Sequence, residues 1–136
     1  AWADDELGAL GDAPFVMVEP SFKLQGGGGA NKDWGFEKWQ HVVYDLIDVA
    51  FVRVGEGPER RLRCAHYIHT PTFRHACAIL ERSIGYVGHE GGLHHAAAAL
   101  GKRAVVVFGG YISPEVTGYA THTNLYVHDD RYPLGC

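Results

Sequence analysis

Residues 88–95, Gly-His-Glu-Gly-Gly-Leu-His-His, place a carboxylate, three imidazoles and a glycine pair within eight positions. Two chemistries suit such a set: ligation of a metal ion, or a helix start that holds an anion. A zinc-binding helix needs histidines at i and i+4, because only that spacing puts both on one face, with glutamate after the first. Here Leu93 occupies the place of the second histidine, and the histidines fall at 94 and 95. Two glycines inside such a helix would each weaken it by about 1 kcal/mol relative to alanine. A metal hydrolase built on His89, Glu90 and His94 is therefore the least favoured reading, and no metal is expected.

The anion reading uses more of the residues. A strand Gly-Tyr-Val-Gly leads into a turn at His-Glu-Gly-Gly and then a helix from near Gly92. Glycines let backbone approach a ligand closely, and the unpaired N–H groups of a first helical turn point at it with the positive end of the dipole. The same pair also suits a plain tight turn, so local sequence leaves a phosphate cradle and a simple strand-to-helix turn both open. A second cation, Lys32, follows four glycines in Gly-Gly-Gly-Gly-Ala-Asn-Lys, but this is no Walker A loop, since it lacks the glycine directly before the lysine and the Ser/Thr after it.

Alternating elements must position these groups. Phe15–Pro20 is an apolar strand ended by proline, and a long polar loop with the glycine run follows it. Positions 36–48 carry Phe36, Trp39, Val43, Leu46 and Ile47 at helical spacing, and Val49–Gly55 is a strand. Strand 65–69 precedes a helix over 70–83, with Thr70 as N-cap and Pro71 in the first helical position. Strand 84–88, a helix over 92–101 closed by Gly101, strand 103–109 and a last strand at 124–128 complete the series. The order β-α-β-β-α-β-α-β-β predicts a mostly parallel, doubly wound α/β sheet with ligands at the carboxyl ends of its strands. Residues 1–14 read as a lead-in or the remnant of an upstream region, and 15–136 as one domain.

The bulk numbers narrow the partners. A chain of 136 residues, 46% hydrophobic and 21% charged, suits one globular domain. A net charge of −4 offers no broad positive field, so nucleic acid is not an expected partner. No apolar run approaches the roughly 20 residues that cross a bilayer, and a cytoplasmic location is expected. Cys64, Cys77 and Cys136 form neither a C-x-x-C pair nor a disulfide framework. Trp34 and Trp39 read as core anchors, and His66, His69, His75 and His128 as structural or exposed. His122, beside Tyr119 and Asn124, sits in a loop near the expected cleft.

The segment Tyr-Val-Gly-His-Glu-Gly-Gly-Leu-His-His-Ala-Ala-Ala-Ala-Leu-Gly, followed by an apolar strand ending in Phe-Gly-Gly, resembles the heptosyltransferase-like glycosyltransferases of family nine in their C-terminal nucleotide-sugar domain. The strand at Val18–Glu19, the Asn-Lys-Asp-Trp element and the helix after it resemble the start of that domain, so the likeness covers about residues 15 to 128. It implies a Rossmann-like sheet forming one half of a GT-B fold, whose other, N-terminal half carries the candidate catalytic base and much of the acceptor site and is not contained in these residues.

By the same resemblance Lys32 contacts donor phosphate and Glu90 faces the donor sugar, with Glu90 also a weak candidate for a catalytic role. The amides of Gly91, Gly92 and Leu93 hold the phosphates, and His95 stands in the first helical turn. Glu56 or Glu59 grips the ribose, and the match does not choose between them. The implied donor is a nucleoside-diphosphate sugar used without a metal cofactor, and the implied acceptor is a glycan or lipid-linked glycan such as lipopolysaccharide. The complete enzyme would work at the inner face of the membrane as a peripheral protein. Glu90 in place of the commoner aspartate, His94, and glycines where the first loop usually has Ser or Thr depart from the pattern. These departures keep a non-catalytic nucleotide-binding or interaction module on the same scaffold as the alternative.

Overall fold

The computed structural model describes residues 1–21 and 29–127; the glycines at 26–28, His128 and Cys136 lie outside the described residues. Six short apolar segments form one sheet: β1 (Phe15–Glu19), β2 (Ala50–Gly55), β3 (His66–His69), β4 (Gly85–His89), β5 (Arg103–Val107) and β6 (Thr123–Leu125). Their spatial order is β3-β2-β1-β4-β5-β6, and every neighbouring pair is parallel. The expected doubly wound sheet is present, and it is wholly parallel. The strand order reverses between β1 and β4, so the crossovers on either side of that line leave a crevice above the strand ends.

Helices α1 (Trp2–Glu6), α3 (Phe73–Arg82) and α4 (Gly92–Ala99) cover one face. Alternate side chains of the strands, including Met17, Val52, Val54, Tyr86 and Val106, are buried there with Ile79 and Leu80 of α3 and Ala97 of α4. The first helix joins this core through Ala3, and its Asp4 pairs with Arg82 at 2.5 Å. The other face carries α2 (Phe36–Asp45), whose Trp39 and Val43 are 1% exposed against Val18 and Phe51. Trp34 meets Trp39 edge-on with ring centroids 4.9 Å apart, so both tryptophans anchor the core as expected. Toward β5 and β6 this face opens into an apolar groove of about 880 Å³ that exposes Ile84, Val105 and Leu125.

Two local expectations are corrected. The third helix begins at Phe73 with Thr72 as its N-cap, because Thr70 is taken by the sheet. Its N–H donates to the Gly55 carbonyl at 2.8 Å, with its hydroxyl 3.4 Å from the same oxygen, and this leaves Pro71 ahead of the helix. The sequence reading also passed over a short helix, α5 (Pro114–Thr117), whose Ser113 hydroxyl caps the Glu115 N–H. Its Ser-Pro start is a recognisable signal. Gly101 closes the fourth helix as expected, with φ of +66°.

Candidate functional site

A cavity of about 500 Å³ lies at the carboxyl ends of β1, β2 and β4, between the starts of α3 and α4. It occupies the crevice where the strand order reverses, the place at which open parallel sheets receive ligands. Its wall includes Lys32, Glu56, Glu59, Glu90, Gly91, Gly92 and Leu93, which are all but His95 of the residues that the resemblance assigns to the donor. His95 stands beside the wall, with Nε2 3.8 Å from Glu90 Oε1 and Nδ1 2.7 Å from the Tyr119 hydroxyl. Burial, followed by the neighbouring His94, holds the His95 pKa below the ordinary histidine value.

Lys32 ends a single 3-10 turn, Gly29–Lys32, and its ammonium reaches Glu90 Oε2 at 2.7 Å. That oxygen makes no hydrogen bond, so the contact is a charge pair. With side chains only 14% and 9% exposed, the pair is poorly screened by water. Tyr111 places its ring 4.6 Å below the ammonium and adds a cation–π contact.

The turn is held by the loop that follows β5. The Gly110 N–H donates to the Asn31 carbonyl at 2.9 Å, and a Cβ on Gly109 would sit 2.8 Å from the Lys32 Cα. Only glycine permits that backbone approach, which gives the Phe-Gly-Gly after β5 a defined purpose.

The start of α4 is arranged by His94, which is fully buried. Its Nε2–H donates to the Thr117 carbonyl at 2.8 Å, and its Nδ1 accepts the Gly91 N–H at 2.9 Å. The first intrahelical bond is His95 N–H to Gly91 carbonyl, so among the described residues the N–H groups of Gly92, Leu93 and His94 meet no protein acceptor. The Gly91 N–H, expected to face a ligand together with those of Gly92 and Leu93, is engaged by the His94 ring.

Glu59 and Glu56, indistinguishable in sequence, part company here. Glu59 accepts N–H groups from Glu56 at 2.8 Å and Gly57 at 3.3 Å, and the Tyr67 hydroxyl at 2.8 Å. These bonds outweigh desolvation and lower its pKa, so its carboxylate braces the loop after β2. Glu56 is left with an exposed carboxylate at the rim.

His89 points to the opposite face of the sheet. Its Nε2 accepts the Trp34 N–H at 2.9 Å and the Trp39 indole N–H at 3.3 Å, while Nδ1 lies 3.4 Å from the Ser21 carbonyl. The arrangement of His89, Glu90 and His94 as metal ligands is thus not formed. Glu90, His94 and His95 do bring ligand atoms within 4.8 Å of one another, but both His94 nitrogens are engaged by backbone and Glu90 by Lys32. His122 packs behind His94, with ring centroids 6.3 Å apart, and takes no part in the cavity wall.

Sequence reasoning missed Glu19, the last residue of β1. It lines the cavity and accepts the Ser21 N–H at 2.7 Å, and burial raises its pKa from 4.5 to about 6. Its signal was a carboxylate closing an otherwise apolar strand. A carboxyl whose folded pKa is raised favours folding below its unfolded value and loses that benefit as pH rises through the folded value. Glu19→Gln should consequently stabilise the chain by about 2 kcal/mol at pH 7. The gain should shrink toward pH 4.5, as followed by urea unfolding across this range. Arg53, in the middle of β2, is 2% exposed and donates to the Ser21 hydroxyl at 2.6 Å, fixing the chain just after Glu19.

No protein-family model and no curated protein sequence matches the chain. Solved structures do. Heptosyltransferase WaaC of E. coli, solved with ADP, superposes with a TM-score of 0.70 at 17% identity over 90% of this chain and 41% of its own. ADP-heptose LPS heptosyltransferase II of E. coli gives 0.72 at 16% identity, over 97% of this chain and 45% of that one. The chain has the fold of these glycosyltransferases. A glycosyl transferase of family 9 from Veillonella parvula agrees, with a TM-score of 0.66 at 16% identity over 94% of this chain and 39% of that one. The resemblance read from sequence is borne out in three dimensions, and the chain spans about two fifths of the length of the solved proteins it matches.

Proposed function

We propose that the chain is the nucleotide-sugar-binding part of a glycosyltransferase that takes a sugar from a nucleoside-diphosphate donor. The observation that carries this reading is the meeting of Lys32 with the open first turn of α4 in the cavity at the sheet's reversal point. Two further facts support it: WaaC has been solved with ADP and with ADP-2-deoxy-2-fluoro heptose, and this chain shares its fold.

In this reading the diphosphate lies on the N–H groups of Gly92, Leu93 and His94. Lys32 moves from Glu90 to a phosphate oxygen, and Glu90 becomes available to hydroxyls of the sugar. Glu56 takes the ribose, since the carboxylate of Glu59 is committed to its own loop. As the bond from the anomeric carbon to the diphosphate breaks, negative charge grows on the leaving oxygen. Lys32 and the oriented amides stabilise it there without reorganising. The acceptor hydroxyl, on a glycan or lipid-linked glycan such as lipopolysaccharide, loses its proton to a base on a second domain, and catalysis by this part consists of orientation and electrostatics. The whole enzyme then acts in the cytoplasm at the membrane's inner face.

Calorimetric titration of the chain with ADP, UDP and GDP, with EDTA present, tests the reading. Saturable binding of one nucleotide that survives chelation is expected. Failure of all three to bind would remove the reading for this chain, and binding abolished by EDTA would show that a cation mediates it.

A further inference from the structure

Among the described residues, four carboxylates, from Glu19, Glu56, Glu59 and Glu90, line the cavity against one lysine, which Glu90 already pairs. An anion that enters therefore meets surplus negative charge. Glu90 has Lys32, Glu59 has two N–H groups and a phenol, and Glu56 stands at the rim, where water screens it. Glu19 lies at the end of β1, beside the line where the strand order reverses.

The groups around Glu19 do little to balance its charge. Tyr86 faces it from β4 as an uncharged phenol, and Glu59 faces it from the loop after β2 with like charge. Phe73 and Ala76 of α3 bring no charge, and Glu90 with its partner Lys32 stands at the start of α4. Arg53 attracts it from the opposite face of β2 but gives its hydrogen bond to Ser21. A carboxylate in such a place has two ways to coexist with a diphosphate, namely to move away or to become neutral. Its Oε1 is fixed by the Ser21 N–H, and β1 is a central strand of the sheet, so moving away is the harder course.

We propose that Glu19 is a donor-binding residue in its neutral form: it takes one proton from solvent as an anionic nucleotide-sugar enters, and donates that O–H to a diphosphate oxygen. This rests on the donor-binding reading above. Burial has already raised the carboxyl to about 6 in the empty cavity, so the proton is taken up from near-neutral solution at small cost. Linkage then fixes the sign. Binding tightens as pH falls, by roughly tenfold for each unit between about 6 and 8, the range in which the free site is ionised and the occupied one is not.

The test is calorimetric titration of the chain with ADP-glucose and its UDP and GDP counterparts, each phosphate of which carries one ester and one anhydride link and has no proton that titrates in this range. It is run from pH 5.5 to 8 in pairs of buffers with unlike ionisation heats. Close to one proton taken up per ligand at pH 7.5 is expected, together with the tenfold-per-unit decline in affinity. In Glu19→Gln, whose amide oxygen still accepts the Ser21 N–H, uptake should vanish and affinity become flat with pH. In His95→Gln, which removes the imidazole beside Glu90, uptake should persist. Wild-type binding without proton uptake, or uptake that survives in Glu19→Gln, would overturn the proposal while leaving donor binding intact. No saturable heat from the unmodified chain at any pH, with ADP-glucose or with its UDP and GDP counterparts, would overturn donor binding, and this proposal with it.

Discussion

Replacing Lys32 by alanine should lower stability by about 3 kcal/mol and remove nucleotide binding at the same time. The stability loss follows from burial: Glu90 is 9% exposed, and without the ammonium 2.7 Å away it is left as a charge in a place that solvates it poorly. Breaking one side of such a pair costs about 3–5 kcal/mol, whereas replacing both sides by neutral residues of similar shape is close to neutral. Lys32→Met combined with Glu90→Gln should therefore recover most of the stability. It should not recover affinity for the nucleotide, because the cation itself is missing. Urea midpoints and calorimetric titrations of the three proteins separate the two effects. If the double variant bound nucleotide like the unmodified chain, Lys32 would have only a structural part.

His94→Ala should be of similar size, about 3–5 kcal/mol, for a different reason. The imidazole is fully buried and joins the Gly91 N–H to the Thr117 carbonyl. Its removal leaves both groups unsatisfied, at about 1–3 kcal/mol each, and opens a void beneath α4. Asparagine can accept the Gly91 N–H in place of Nδ1 but is too short to reach Thr117, so His94→Asn should lose about half as much. Equal losses for the two variants in urea unfolding would mean that the ring contributes by filling space rather than by its two bonds.

Much of this arrangement could be read from sequence, and the reasons are local. β4 was legible because a strand buried on both faces leaves a continuous apolar run, and β5 because its run is equally continuous although Val105 is exposed. The start of α4 was legible because Gly91 and Gly92 interrupt one such run and alanines follow. The functional grouping of Lys32 with Glu90 came from the resemblance, since nothing in the spacing of residues 32 and 90 brings them together.

What escaped depended on contacts far along the chain. Glu56 and Glu59 differ only in which loop amides they meet after folding. Thr70 looked like a helix cap until Gly55 claimed it. The imidazole of His94 acquires its place from Thr117, and Glu19 its unusual acidity from a cavity closed by α3 and β4. A carboxylate at the end of an apolar strand says nothing by itself about its surroundings.

The fastening of Asn31 to Gly110 also sets the order in which this molecule can become competent. Loop closure between these positions must wait for β5, and contacts of such long range form late when a chain folds. A nascent chain that has emerged only as far as β4 would already hold four of the six strands and the start of the ligand cavity, yet its lysine turn would have nothing to rest on. Under the donor-binding proposal, capacity to bind would come only after the Phe-Gly-Gly that follows β5 and the Thr117 carbonyl that orients His94 have been made, so a partly made chain would not hold a nucleotide-sugar.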